Sequence, residues 1–352
     1  MLRWSLIISR PSAGLLVALA GALAIGCSSS GTTSPGTTGQ TRATAGNLWV
    51  ANAIAPPTVV EFTAAQLTSA TSAPTITIGA GSTGSDIGVA FDASGDLWVA
   101  SNGAVVEYSA SQLKSSGSPT PTVTLSGGSI ASPEGLAFDA GGNLWVACSG
   151  NSTVIELASA QLATSGSPTP PIVISAPGSG LTRPVGLAFD ASGDLWVANS
   201  TPNTVVEYTP AQLVGTGDPA PTVKLSSVAM SLSAPQFLAF DGGGNLWVAN
   251  GEGLTTFTVA AYTPAQIAAG SGNPVPAIAL SSFTNSDAPA GLAFDGNGDL
   301  WVSTINSLVE FTPSQLTATG APAPTITIAG SAIAGASGLA FDPQTTGLPL
   351  QR

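Results

Sequence analysis

A Leu-Trp-Val phrase occurs six times along this chain, and it constrains the fold more than any other feature. The tryptophans recur every 47 to 54 residues, and the residues around them recur as well. Self-similarity at a period of about fifty residues is typical of propeller blades and stacked repeats. The six tryptophans are Trp49, Trp98, Trp145, Trp196, Trp247 and Trp301.

Each repeat predicts four β-strands. A Gly-Leu-Ala-Phe-Asp phrase precedes the tryptophan, as in residues 135–139, and a β-branched run with a glutamate follows it, as in residues 205–208. A Pro-Thr-Val-Thr-Leu phrase comes last, as in residues 121–125. These runs are short, rich in β-formers and bounded by turn residues, so they predict strands. Four strands in each of six units predict an all-β, six-bladed propeller with four-stranded blades.

The ends of the repeat region predict how the ring closes. The region opens at Trp49 with a second strand that lacks its first, and it finishes at residues 338–342 with a first strand that lacks its second. A solenoid would instead need capping repeats at both ends. We therefore expect pairing of the N- and C-terminal strands to close a propeller over residues 45–345, followed by a short tail over 346–352.

The turns of the repeat also have sequence signatures. The Asp-x-x-Gly-Asn/Asp phrase after the first strand predicts a tight hairpin, because Asp bonds its following backbone and Gly accepts positive φ. Thr-Pro-Ala/Ser-Gln phrases have the pattern of a capping box, which predicts short helical turns at Thr209, Thr263 and Thr312. Weaker versions open at Thr63 and Ser109.

The N-terminus has the pattern of an export signal. Arg3 and Arg10 precede an uncharged apolar run over residues 13–25, and Gly26-Cys27 follows it. This predicts a signal peptide over 1–26. The phrase that ends at Cys27 resembles a bacterial lipobox, which implies lipidation of Cys27; an ordinary signal peptide with an incidental cysteine is the alternative. Residues 27–44 are rich in Ser, Thr and Gly and predict a flexible tether. The expected location is outside the cytoplasm, anchored by lipid to a bacterial membrane at the periplasmic face or the cell surface.

Composition excludes several function classes. The net charge is −12 with only seven basic residues, which argues against nucleic acid as a partner and against electrostatic binding to anionic lipid. Membrane association is therefore expected only through the N-terminal lipid, and the ring is expected to be a monomer. The chain contains no histidine, so Ser-His-Asp and Cys-His catalysis are excluded.

The Pro-x-Gly-Leu-Ala-Phe-Asp-x-x-Gly-Asn-Leu-Trp-Val-Ala-Asn phrase resembles the NHL repeat. It is also similar to phrases of the SMP-30/gluconolactonase and streptogramin-lyase propellers. The NHL resemblance implies a binding platform. The streptogramin-lyase resemblance implies a catalytic histidine, which this chain lacks. The SMP-30 resemblance implies a divalent metal held by Glu, Asn and Asp at the channel mouth, and Glu134 in Pro-Glu-Gly matches its glutamate.

Candidate site residues are those that interrupt the repeat at one end of the ring. Loops that enter the first strand and leave the second strand share that end, and they are expected to form the channel mouth. Each candidate has a structural alternative: a solvated carboxylate, a surface salt bridge, a small buried thiol, or asparagines that cap strand ends locally. The candidates are Glu134, Arg183, Gln236, Asn52, Asn199, Asn250 and Cys148.

These features predict a binding or interaction scaffold that takes a protein, peptide or carbohydrate on the channel-mouth face. The alternative is a metal-dependent hydrolase that uses Glu134 with a divalent cation such as Ca²⁺; no other cofactor is expected. The regular third-strand glutamates, such as Glu61 and Glu207, are interpreted as part of the fold. Residues 295–299 have a superficial likeness to a calcium loop but lack its Gly at position six and Glu at position twelve.

Overall fold

The computed structural model describes residues 46–342, except 55, 71–72, 80–85, 102, 176–177, 179, 227–231, 252–256 and 285. The predicted signal peptide, Cys27, the tether and the tail over 346–352 lie outside the described residues. Within the described part, no helix has the length and apolar character needed to cross a bilayer.

The described chain forms six antiparallel sheets of four strands each, as predicted. The strands are numbered in chain order. The inner strands are β4 (Asp86–Phe91), β8 (Pro133–Phe138), β12 (Pro184–Phe189), β16 (Pro235–Phe240), β20 (Pro289–Phe294) and β24 (Ala336–Phe341). The second strands, which carry the tryptophans, are β1 (Leu48–Asn52), β5 (Leu97–Ser101), β9 (Leu144–Cys148), β13 (Leu195–Asn199), β17 (Leu246–Asn250) and β21 (Leu300–Thr304).

The other two strands of each blade lie further from the centre. The third strands are β2 (Thr58–Phe62), β6 (Ala104–Tyr108), β10 (Thr153–Leu157), β14 (Thr204–Tyr208), β18 (Thr258–Tyr262) and β22 (Ser307–Phe311). The outer strands are β3 (Ile76–Gly79), β7 (Val123–Ser126), β11 (Ile172–Ser175), β15 (Val223–Ser226), β19 (Ile278–Leu280) and β23 (Ile326–Ala329). Blades are numbered one to six by the order of their second strands.

The predicted closure of the ring is confirmed. In the first blade β24 pairs antiparallel with β1, with Phe341 opposite Leu48 and Leu339 opposite Val50. The inner strands also contact one another around the whole ring, including β24 with both β4 and β20. The last strand of the chain therefore supplies the innermost strand of the blade that the first strand begins.

The predicted helical turns are confirmed as well. In the fifth blade, Thr263 accepts a hydrogen bond from the backbone of Gln266, while the Gln266 side chain accepts one from the backbone N–H of Thr263 at 2.9 Å. This reciprocal pair satisfies N–H groups that a helix start leaves open. Helix α1 is Pro264–Ala268, and the 3-10 turns are Gln66–Thr68, Gln112–Lys114, Ser159–Gln161, Pro210–Gln212, Pro313–Gln315 and Ser331–Ile333.

The hydrophobic core lies between the blades. Each of the six tryptophans of the repeat is at most 2% exposed, and five of them meet a phenylalanine of the next blade edge to face. Trp145 and Phe189, for example, have ring centroids 6.1 Å apart at 73°. Because both faces of every blade pack on a neighbour, second and third strands are apolar along nearly their whole length. This explains how the chain folds with only 7% charged residues.

Candidate functional site

The seven candidates lie at one end of the ring, as the sequence predicts. We call it the loop end: inner strands begin there and second strands finish there. The register places Cys148 opposite Pro133, Asn199 opposite Pro184 and Asn250 opposite Pro235. The opposite end, where a tight turn joins the inner strand to the second strand in blades two to six, is called the hairpin end.

The three asparagines are buried and bond within their own surroundings. Asn250 is 2% exposed; its Oδ1 accepts from the backbone of Ser233 at 3.1 Å and its Nδ2 donates to Thr258 Oγ1 at 3.2 Å. Asn199 and Asn52 likewise donate to the threonine that opens their third strand. The geometry favours the local capping role, in which these amides fasten the loops that flank the channel.

Cys148 is also buried, with no exposed surface. Burial raises the pKa of its thiol to about 11, which hydrogen bonds from the Ala131 backbone and Thr153 only partly offset. A thiol with such a pKa stays protonated near neutral pH, so it is a poor nucleophile and a poor metal ligand. Its environment is that of a small apolar side chain in a core.

Glu134, Arg183 and Gln236 differ from these four because they lie on three consecutive blades at the start of the inner strands. Glu134 is 7% exposed, Gln236 is half-buried and Arg183 is exposed. Gln236 donates from Nε2 to the carbonyl of Ala234 at 3.2 Å. Blades three to five thus bring an acid, a base and an amide to one arc of the loop end, which we call the polar arc.

Backbone strain coincides with the polar arc, and sequence reasoning missed it. In the described part of the chain, four non-glycine residues adopt positive φ: Ser132 at 47°, Ser152 at 58°, Asn203 at 65° and Ala234 at 41°. All four lie in loops at the loop end of blades three to five. Serine and alanine rarely adopt this conformation, so no sequence signal marks them. Strained residues of this kind cluster at functional sites.

At the hairpin end, the repeated aspartate does more than form the predicted turn. Asp190 Oδ1 accepts from the backbone N–H groups of Ser192 and Asp194, at 2.8 and 3.0 Å. Its Oδ2 accepts from the indole Nε1 of Trp196 at 3.2 Å. The same indole bond is present in blades two, three and five. One carboxylate therefore joins the turn to the core.

The residue before each Leu-Trp-Val phrase alternates around the ring between amide and acid. It is asparagine in odd blades and aspartate in even blades: Asn47, Asp96, Asn143, Asp194, Asn245 and Asp299. The amides donate to a neighbouring carboxylate, as from Asn47 to Glu61 at 2.8 Å. Even blades instead place a further carboxylate beside the third-strand glutamate. Burial, followed by repulsion from these aspartates, raises the pKa of both Glu107 and Glu207 to about 7.

The sixth blade, the last even blade, brings three carboxylates together in a group that could hold a metal ion. Asp295, Asp299 and Glu310 are buried, and each offers an oxygen within 4.8 Å of the others. Oxygen ligands of this kind suit hard cations such as Ca²⁺. Among the described residues, Glu134 belongs to no such group of three acidic, Cys or His side chains.

A cavity of about 970 Å³ occupies the centre of the ring. Its walls are the apolar residues of the inner strands, and its lining continues to the turns of the hairpin end. None of the seven candidates lines it.

Comparison with known proteins agrees with this architecture. The family model of the NHL repeat matches residues 131–156, which cover the first two strands of the third blade and most of its third strand. No curated protein sequence matches the chain.

Solved structures resemble the chain in fold. A Bacteroides caccae protein of unknown function is 12% identical with a TM-score of 0.56, over 84% of this chain and 98% of that one. A chain of a nidogen/laminin complex is 16% identical with a TM-score of 0.54, over 83% and 97%. A streptogramin B lyase is 18% identical with a TM-score of 0.45, over 65% of this chain and 66% of that one. At such identities the likeness concerns the fold alone. The chain is therefore a six-bladed β-propeller with an NHL repeat in its third blade.

Proposed function

We propose that this protein is an exported, lipid-anchored scaffold that binds a peptide, a protein segment or a carbohydrate at the polar arc. The observation that carries the proposal is the placement of Glu134, Arg183 and Gln236 on three consecutive blades at one end of the ring. An acid, a base and an amide together offer both donors and acceptors to a polar ligand.

The strained loops support the same location. A residue with positive φ immediately precedes the Pro-Glu pair of the third blade and the Pro-Gln pair of the fifth, namely Ser132 and Ala234. Hydrogen bonds tie these loops to neighbouring blades, from Ser152 Oγ to the carbonyl of Thr182 at 2.5 Å and from the Ala234 N–H to Asn203 Oδ1 at 2.8 Å. Loops held in one conformation before binding lose less entropy when a ligand arrives.

The location outside the cytoplasm is supported by the sequence pattern over residues 1–27. The nidogen/laminin neighbour is a propeller found within a complex of proteins. This precedent is compatible with a protein partner for the present ring.

Screening the protein for binding to two classes of ligand tests the binding proposal. The chain without residues 1–27 would be screened against a phage-displayed random peptide library and a glycan array. We expect one class to yield a ligand whose binding falls at least ten-fold in Arg183→Ala, because a charge-assisted contact is lost. Lys224→Ala is the matched control, since this lysine lies exposed on the outer strand of the same blade. Ligands that bind both variants equally well would refute the polar arc as the site.

Two further measurements test the remaining parts. Metabolic labelling with palmitate should mark the wild type and Cys148→Ala but not Cys27→Ala; equal labelling of all three would refute the anchor. A clear rise of the melting temperature with Ca²⁺ that is lost in Glu134→Gln would instead favour the metal-dependent hydrolase.

A further inference from the structure

The central cavity lies toward the hairpin end of the ring. Its lining reaches the second half of every inner strand and the turns of the hairpin end. Toward the loop end the lining stops at the level of the inner-strand glycines. The cavity volume of about 970 Å³ lies within the ~300–1,000 Å³ range of small-molecule sites.

Close backbone contact explains where the cavity stops. A Cβ atom on Gly135 would lie 2.2 Å from the carbonyl oxygen of Val185, and one on Gly186 would lie 2.3 Å from that of Gln236. At these glycines the backbones of adjacent inner strands therefore lie too close together for a side chain. The fifth blade alone places a large side chain at the equivalent position, Phe237, and that residue lines the cavity.

The cavity has an aromatic wall on one side. Phe237 and Phe240 of β16 and Phe294 of β20 line it and are half-buried. Phe240 and Phe294 also contact Trp196 and Trp247 edge to face, so they present only part of their ring surface to the cavity. Leucines and alanines of the other blades complete an apolar interior. An apolar or aromatic ligand body would find matching surface here.

The mouth of the cavity is acidic. Asp139, Asp190, Asp241 and Asp295 line the rim, and the cavity extends between blades three and four as far as Glu156. No lysine or arginine belongs to the lining. The field at the mouth therefore attracts cations and repels anions.

We propose that this cavity binds a small amphiphilic cation, with its apolar body against Phe237, Phe240 and Phe294 and its charged end among the rim carboxylates. Both parts are needed. An inorganic cation gains nothing from the apolar walls, and an anionic amphiphile meets like charge at the rim. A cation beside phenylalanine faces is favoured as well. The site lies at the opposite end of the ring from the polar arc and does not depend on it.

Three matched probes test the proposal on the full chain by titration calorimetry. They are 4-phenylbutyltrimethylammonium, 5-phenylpentanoate and 4-phenylbutanol, which share a phenylalkyl body and differ in charge. We expect saturable one-site binding of the cation, at least ten-fold tighter than binding of the anion and weakened by added salt. The neutral alcohol should fall between the two. Failure of the cation to bind, or equal affinity for the cation and the anion, would overturn the proposal.

Variants locate the bound probe. Phe237→Gly introduces the residue that the other five blades carry at this position, so the variant should fold. It should bind the cationic probe about ten-fold more weakly, because one aromatic face is removed. Glu156→Gln should lower the affinity for the cationic probe without changing the affinity for the neutral alcohol. Val214→Ala is the control, because this side chain is 79% exposed and lies outside the lining. Unchanged binding in Phe237→Gly would show that the cation binds elsewhere, and the proposal would fail.

Discussion

Asp241 accepts a hydrogen bond from the indole of Trp247, at 2.9 Å between Oδ2 and Nε1, so the turn of the fifth blade is joined directly to its core. The equivalent nitrogen in the sixth blade, Nε1 of Trp301, has no hydrogen-bond partner among the described residues. There the Asp295 Oδ2 accepts instead from Asn297 at 3.3 Å. The fifth and sixth blades therefore differ in whether the aspartate of the turn bonds the indole.

This difference predicts unequal costs for the same substitution. Asp241→Asn places an amide N–H or a weaker acceptor against the indole, and we expect a loss of about 1.5–3 kcal/mol in the free energy of unfolding. Asp295→Asn has no indole bond to lose and removes one of three clustered carboxylates, so we expect little loss or a gain near pH 7. Urea denaturation gives the free energy of unfolding of both variants. Equal destabilisation of the two would contradict the assigned role of the indole hydrogen bond.

Stability should depend on pH through the third-strand glutamates. The pKa values of Glu107 and Glu207 are raised from 4.5 to about 7 in the folded protein. Between these values the folded state holds more protons than the unfolded state, so stability falls as pH rises through this window. The melting temperature should therefore be higher at pH 5 than at pH 8.

The double variant Glu107→Gln/Glu207→Gln serves as the matched test of that pH dependence. It removes two of the titrating groups at nearly unchanged shape, so its melting temperature should vary less between pH 5 and pH 8 than that of the wild type. A steeper or identical dependence in the variant would assign the effect to other groups.

Close approach of the inner strands predicts a steric effect. In Gly186→Ala the new methyl group would lie 2.3 Å from the Gln236 oxygen and 2.7 Å from the Phe237 Cα, and both are backbone atoms. We expect a loss of about 2–3 kcal/mol from this overpacking. In Gly215→Ala the methyl group meets nothing within 4 Å, so stability should stay within about 1 kcal/mol of the wild type. Thermal melts distinguish the two, and a neutral Gly186→Ala would contradict the tight ring.

Ring closure predicts that the last strand is essential. A chain ending at Gly330 lacks β24 and leaves β1 without its inner neighbour, so the tryptophan face of the first blade would be exposed. We expect this chain to lose its cooperative unfolding transition. A chain ending at Asp342 keeps β24 and should melt like the full protein. If both truncated chains melted alike, strand pairing would not be what closes the ring.

The fold could be predicted because its signals repeat. Six Leu-Trp-Val phrases define the second strands, and the incomplete units at Trp49 and Phe341 predict which strands must pair. The role of the aspartates was only half predictable: Asp190 forms a turn by local chemistry, which sequence reveals, whereas its bond to Trp196 depends on the rotamers of both side chains.

The sites were harder to predict for physical reasons. Asn199 and Asn250 look like ligand contacts in sequence, but whether an amide faces solvent or its own loop depends on tertiary geometry. Phe237 interrupts the repeat at a position where the other blades have glycine, but the sequence does not reveal that its side chain lines a cavity, because that depends on how the inner strands are arranged around the ring. The positive φ of Ser132 and Ala234 had no signal, because neither residue type favours that conformation.

The alternation of Asn47, Asp96, Asn143, Asp194, Asn245 and Asp299 has a consequence for how the ring is built. At this position two kinds of blade alternate around the ring. Every blade with the additional aspartate is separated from the next such blade by one with an asparagine, so these carboxylates never lie on adjacent blades.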